Sequence, residues 1–180
     1  MKSSAKERKW KGQRCLIVDG YNVIAKKAGA PLSKIPDLEE ARRELEDELA
    51  EYRAVYDEHV VVVYDAHLRE GVGVLEERSK IQIVFTDSGE TADARIERLV
   101  YDLRDNFRNI TVATSDAAEQ QVSFGGGALR ISAAELLVRL GAMQEYVARQ
   151  TNRQNTKSRS TLADSLKGDV IKALEKWRRN

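Results

Sequence analysis

Four aspartates stand where apolar runs of the chain end. Asp19 follows Cys15-Leu16-Ile17-Val18, Asp65 follows the run VVVVY, and Asp116 closes ITVATSD. After IQIVF, the segment TDSGETAD brings Glu90 and Asp93 together at what reads as the start of a helix. If the apolar runs are parallel strands, these acids reach the carboxyl edge of one sheet, where open α/β sheets form their ligand sites. Several carboxylates in one crevice repel one another, so some must stay protonated or a cation must neutralise them. Hard oxygen donors suit Mg²⁺ or Mn²⁺. Such a cation polarises a phosphate, lowers the pKa of its water and stabilises a leaving oxygen. Phosphodiester hydrolysis fits this set, and it needs no serine or cysteine nucleophile.

Each acid also has a plainer explanation. Asp19-Gly20 is an ordinary turn signal, and Gly20 is expected to turn the chain there. Asp116 with Glu119 makes a helix-capping pair, and Glu90 or Asp93 would favour a helix N-terminus on charge alone. What single explanations leave out is the recurrence of an acid at the end of every major strand. Asn22 is placed to hydrogen-bond the Asp19 region or a phosphate. His67, in DAHLREG, could contact RNA or hold Asp65, and no second histidine near it suggests zinc. Gly125-Gly126-Gly127 reads as a tight turn, and Trp10 and Trp177 as packing of the chain ends.

The elements that must carry these groups follow from periodicity. Strands are expected at 14–18, 59–64, 81–85 and 110–114, with a short one at 129–131; the unbroken Val/Ile runs suit strands buried on both faces. One helical stripe joins Leu38, Ala41, Leu45, Leu49, Tyr52 and Tyr56, and another joins Ala92, Ile96, Leu99, Val100, Leu103 and Phe107. Ser132 and Glu135 form a capping box ahead of Leu136, Leu140, Met143 and Val147. A last helix is expected from Thr161 to Trp177, after an exposed, mobile basic loop at 151–160 (TNRQNTKSRS). This alternation predicts one α/β domain built on a mainly parallel sheet.

The 180 residues suffice for one domain with a sizeable core, and 42% of them are hydrophobic. No apolar stretch approaches the roughly 20 residues of a membrane span, so no membrane association is expected. The start of the chain has no apolar segment before Cys15 and does not read as a secretory signal. A single cysteine in an apolar run points to a reducing cytoplasm. The net charge of +1 conceals segregation. Residues 1–14 are basic, 37–58 carry ten carboxylates against three arginines, and 149–180 are basic again. Basic ends suit contact with a polyanion, because phosphate binding depends on local charge.

The strings LIVDGYNVI (16–24), VVYDAHLREG (62–71), VFTDSGETADARIERL (84–99), VATSDAAEQ (112–120), FGGGALRISAAELL (124–137) and EKWRR (175–179) occur in order along nearly the whole chain. Together they resemble the YacP-type NYN-domain proteins, a branch of the PIN-like nuclease superfamily. The resemblance implies a PIN-like, three-layer α/β fold with helices flanking the central sheet. It also implies a metal-dependent, acidic ribonuclease site. A bacterial member of that family is a ribosome-associated endoribonuclease that cleaves mRNA in the ribosomal A site. Carried over residue by residue, the acids of DGYN, ETAD and TSD fall on Asp19, Asp93 and Asp116. These would hold Mg²⁺ or Mn²⁺, with Asp65, Asn22 and Glu90 in support. Residues 1–13 then form a basic extension, and 14–180 form the NYN domain with its basic loop and C-terminal helix.

The expectation is therefore a monomeric, cytoplasmic endoribonuclease acting on mRNA at the ribosome. Charge and loop position nominate Lys26, Lys27, His67, Arg69, Arg130, Lys157 and Arg159 to guide RNA. The rival reading is a non-catalytic RNA- or ribosome-binding module on the same fold, for which loss of acids would be the sign. A haloacid-dehalogenase-type phosphohydrolase wants an aspartate two residues after the first, and position 21 is Tyr21. A dinucleotide-binding fold needs a glycine fingerprint that DGYNVI does not supply.

Overall fold

The computed structural model describes residues 12–65, 75–114 and 127–153. Strand β1 (Arg14–Asp19) runs directly into helix α1 (Gly20–Ala28). A 3₁₀ turn (Leu32–Lys34) leads to the long helix α2 (Leu38–Tyr56), and strand β2 (His59–Tyr64) follows. Then come β3 (Leu75–Arg78), β4 (Ile81–Phe85), helix α3 (Ala92–Leu103), β5 (Asn109–Thr114) and β6 (Leu129–Ser132). Helix α4 occupies 133–153. The chain parses into two compact units, Met1–Leu140 and Gly141–Asn180, and the sheet and the candidate site both belong to the first.

Among the described residues the strands form one sheet in the order β3-β4-β2-β1-β5-β6. All neighbours are parallel except the β3–β4 pair. The chain builds outward from β1 through β2 to β4, then returns to lay β5 on the other side of β1. That reversal is the switch point at which such sheets open a crevice at their carboxyl ends. Asp19 lies opposite Val63 in the ladder, so Asp65 follows two residues farther along the same edge.

Alternation along the strands separates two buried faces. Cys15, Ile17, Val61, Val63, Val84 and Val112 pack with Ile96, Val100 and Phe107 on the α3 side. Leu16, Val18, Val60, Val62 and Tyr64 are buried on the side of α1 and α2, with Leu45 and Leu49. Every residue of β2 is buried, which is why its sequence shows no polar alternation. Each fully buried valine there contributes about 1.5–3 kcal/mol of transfer free energy. The expected three-layer α/β arrangement is what forms.

Four local expectations change. Gly20 does not turn the chain: it is the first residue of α1, with Asp19 as the N-cap. Strand β3 was not anticipated, because LEER is short and charged in the manner of an edge strand. Its hairpin to β4 turns through Ser79 and Lys80, at φ 50° and 69°, a primed turn without the usual Asn-Gly signal. The helix predicted to reach Phe107 ends at Leu103, and Phe107 enters the core after a short turn. Residues 151–153, expected to begin the basic loop, continue α4 instead; there the Thr151 hydroxyl donates to the Val147 carbonyl at 3.0 Å. The rest of that loop and the helix expected at 161–177 lie outside the described residues.

Candidate active site

Asp19 does two jobs at the end of β1. As the N-cap of α1 its Oδ1 accepts a hydrogen bond from the Asn22 backbone N–H at 3.2 Å, satisfying a donor the helix start would otherwise leave open. It is also only 9% exposed. Burial raises its pKa above 3.8, hydrogen bonds from Asn22 oppose the shift, and the negative charges of Asp93 and Asp65 add to it. The neighbouring charges that act most on this carboxylate are thus both negative, from two other elements. The sheet brings Asp19, Asp65 and Asp93 within electrostatic reach of one another.

Asp19, Asn22 and Asp65 line a cleft of about 470 Å³, together with Tyr21, Ala25, Leu32 and Ala92. The polar members come from the ends of β1 and β2 and the start of α1. The apolar members come from α1, the 3₁₀ turn and the first residue of α3. Behind the cleft, Gly20 packs against the ring of Tyr64. A Cβ at Gly20 would fall on that ring, 2.7 Å from Cδ1 and 2.8 Å from Cζ. Tyr64 in turn packs against the rings of Tyr21, at 5.0 Å, and Phe85, at 5.6 Å. The Arg42 guanidinium lies 5.9 Å from the Tyr64 ring centre and 5.8 Å from that of Phe85, and it donates to the Tyr21 hydroxyl at 3.3 Å. One helix of the α/β layer therefore props the tyrosine that walls the cleft.

The remaining nominated residues divide. Thr91 caps α3 by accepting from the Ala94 N–H at 3.3 Å, and Asp93 occupies the first turn, facing the helix dipole favourably. Glu90 is held by Arg98 at 3.1 Å and Arg95 at 3.9 Å, and it accepts from the Asp87 N–H. That engagement makes it a brace for the turn before α3. Lys27 pairs with Glu48 at 3.0 Å and Glu44 at 3.5 Å on α2, so its charge is matched within the fold. Lys26 is exposed on the last turn of α1, and Arg130 lies on β6 opposite Val112. Asp116, His67, Arg69, Lys157 and Arg159 lie outside the described residues.

Sequence reasoning did not single out Tyr21, Ala25 or Leu32 as parts of the site. Ala25 belongs to the helix that replaced the expected turn. Leu32 sits in a three-residue 3₁₀ turn, too short to show a period.

With this geometry in view, comparison with known proteins is decisive. The YacP-like NYN domain family matches residues 16–179. The chain belongs to that family. The uncharacterized protein YacP of Bacillus subtilis (strain 168) is 40% identical over 164 residues, spanning 91% of this chain and 96% of that one. The crystal structure of Rae1 (YacP) from Bacillus subtilis superposes with a TM-score of 0.66 at 39% identity, covering 92% of this chain and 95% of the other. A tryptophan-to-leucine mutant of the same protein gives the same TM-score at 37% identity, covering 80% and 85%. The fold is thus shared with YacP.

Among the described residues no three His, Cys, Asp or Glu side chains stand close enough to enclose an ion by themselves. Mg²⁺ does not require that: it binds through one or two carboxylates and keeps several waters. A buried carboxylate whose chief charged neighbours are acids is a donor set that a hard divalent cation would stabilise. Asp19, with Asp65 or Asp93, fits such an ion. Among the described residues, no helix is long and apolar enough to cross a membrane.

Proposed function

We propose that this chain is a divalent-metal-dependent endoribonuclease that cleaves mRNA on translating ribosomes. The observation that carries the reading is the placing of Asp19 and Asp65 on one cleft at the carboxyl edge of a parallel sheet, with the charge of Asp93 acting on Asp19, in a member of the YacP-like NYN family. Domains of this family are nuclease-like. The ribosomal part of the proposal extends the motif resemblance, and it is supported by the basic segments 1–14 and 149–180.

Asp19, Asp93 and Asp116 would hold Mg²⁺ or Mn²⁺, with Asp65 beside them. When bound, the ion would offset the carboxylate repulsion and polarise the scissile phosphate. The chain's own groups prepare the site for it. The Asn22 N–H fixes the Asp19 carboxylate in orientation while leaving lone pairs for a cation. The β1–β2 ladder fixes the spacing of Asp19 and Asp65, and the cap at Thr91 sets the start of the helix that carries Asp93.

The test assays cleavage of translated mRNA and of free RNA with Mg²⁺ or Mn²⁺, for the wild type and the Asp19→Asn and Asp116→Asn variants. Each variant is expected to lose roughly a hundredfold or more, the scale lost when one group stabilising transition-state charge is removed. Cutting of translated mRNA alone would support ribosome dependence. Identical cleavage by all three proteins would refute the acid–metal mechanism, and RNA binding without cleavage by the wild type would leave the RNA- or ribosome-binding module.

A further inference from the structure

The cleft is not simply an acid site. Ala25, Leu32 and Ala92 line it beside the acids, and a site that held only a cation and a phosphate would have no use for an aliphatic wall. Leu32 is half-buried, so part of its side chain faces solvent. It is also held firmly. Gly29 ends α1 in the left-handed conformation at φ 62° and reverses the chain. The Lys34 N–H donates to the Pro31 carbonyl at 2.9 Å, and the Ile35 N–H donates to the Leu32 carbonyl at 3.1 Å. Pro31 and Pro36 bracket the turn and restrict its backbone further. A leucine kept partly in water on a rigid turn is preorganised to meet a ligand.

We infer that this wall is a seat for the nucleobase next to the scissile phosphate, and that Leu32 is a specificity-determining residue. The inference rests on the ribonuclease reading for the identity of its ligand. A volume of about 470 Å³ falls within the roughly 300–1,000 Å³ usual for ligand clefts. The methyl side chains of Ala25 and Ala92 leave room for a flat ring, whose apolar face suits an aliphatic surface. The Asn22 amide at the same cleft can donate to or accept from the polar edge of a base. The acids exclude an anionic occupant from their own half, so the phosphate belongs on the cation and the base on the wall. The two halves are continuous, which places base and phosphate of one nucleotide side by side.

The experiment measures binding of a short single-stranded RNA in EDTA, beside a fully abasic ribose–phosphate chain of the same length. Wild type is compared with Ala25→Leu, which fills the seat, and Leu32→Ala, which opens it. Thermal melts check folding. Both variants are expected to bind the base-bearing RNA about tenfold more weakly, the scale of losing one good apolar contact in a specificity pocket. The abasic chain is expected to bind all three proteins alike. In the cleavage assay Leu32→Ala should raise KM and shift the purine-to-pyrimidine preference at the cut, with kcat nearly unchanged, and Leu32→Ile should restore both. Unaltered RNA binding by folded Leu32→Ala would overturn the seat. So would an equal loss for base-bearing and abasic chains. If Asp19→Asn cleaves like wild type, the ribonuclease reading fails, and the EDTA binding comparison still judges the seat.

Discussion

The close approach of Gly20 to Tyr64 gives the sharpest test of how β1 hands over to α1. Replacing Gly20 with alanine adds one methyl group, and two opposing effects follow. Alanine favours helix over glycine by up to about 1 kcal/mol. Against that, the new Cβ would lie 2.7–2.8 Å from carbons of a ring that is itself fully buried. Overpacking of this kind costs about 1–3 kcal/mol, and the ring cannot swing away because Tyr21 and Phe85 flank it. The clash wins, so Gly20→Ala should lose about 1–2 kcal/mol, or roughly 2–8 °C in Tm for a chain of this size. In the Tyr64→Leu background the obstructing ring is gone and only the helix preference remains. There Gly20→Ala should become neutral or stabilising, whatever Tyr64→Leu costs alone. Urea unfolding of the four proteins, followed by circular dichroism, measures the coupling directly. The same loss in both backgrounds would show that Tyr64 is not what demands glycine at this position.

Asp19→Asn keeps an N-cap acceptor as good as the original and removes a charge the fold resists. The folded pKa of Asp19 is raised, so its proton-linked stability is fully present below about pH 4 and is lost as pH rises through the folded value. The variant should therefore gain on wild type as pH climbs from 4 and then hold a constant lead; a difference flat across pH 4–8 would contradict the burial and repulsion described. Mn²⁺ at a hundred times its Kd should stabilise wild type by about 2.7 kcal/mol, and Asp19→Asn by much less, read as a Tm shift with no substrate present. Arg78 ties the edge strand β3 to α2 through Glu46 at 3.0 Å and Asp47 at 3.3 Å. Burial raises the Glu46 pKa and Arg78 opposes the rise, so Arg78→Gln should cost about 2 kcal/mol at pH 8 and distinctly less at pH 5, where Glu46 can take up a proton.

The strands at 59–64 and 81–85 were legible because burial on both faces demands unbroken β-branched runs, and the cap at Ser132 because its hydroxyl accepts from the Glu135 N–H at 3.0 Å as a capping box requires. Helix α1 was not, because DGYN carries a turn signal and its glycine answers to a tyrosine 44 positions away. Strand β3 escaped because an edge strand needs no apolar period. The sequence nominated Glu90 to support the site and Lys27 to guide RNA, and each proved to be matched by partners that only the fold supplies.

By itself, the sequence determined the fold class, the strand-end positions of Asp19 and Asp65 and the family to which the chain belongs. Those are local or ordered features: periodicity, capping and short strings in a set succession. Only the tertiary structure decided which acids act on one another, that the cleft beside them has an aliphatic wall, and that Gly20 opens a helix. Each of these depends on side chains brought together from different strands and helices, and the sheet order that does so, with β1 between β2 and β5, is written in no single segment.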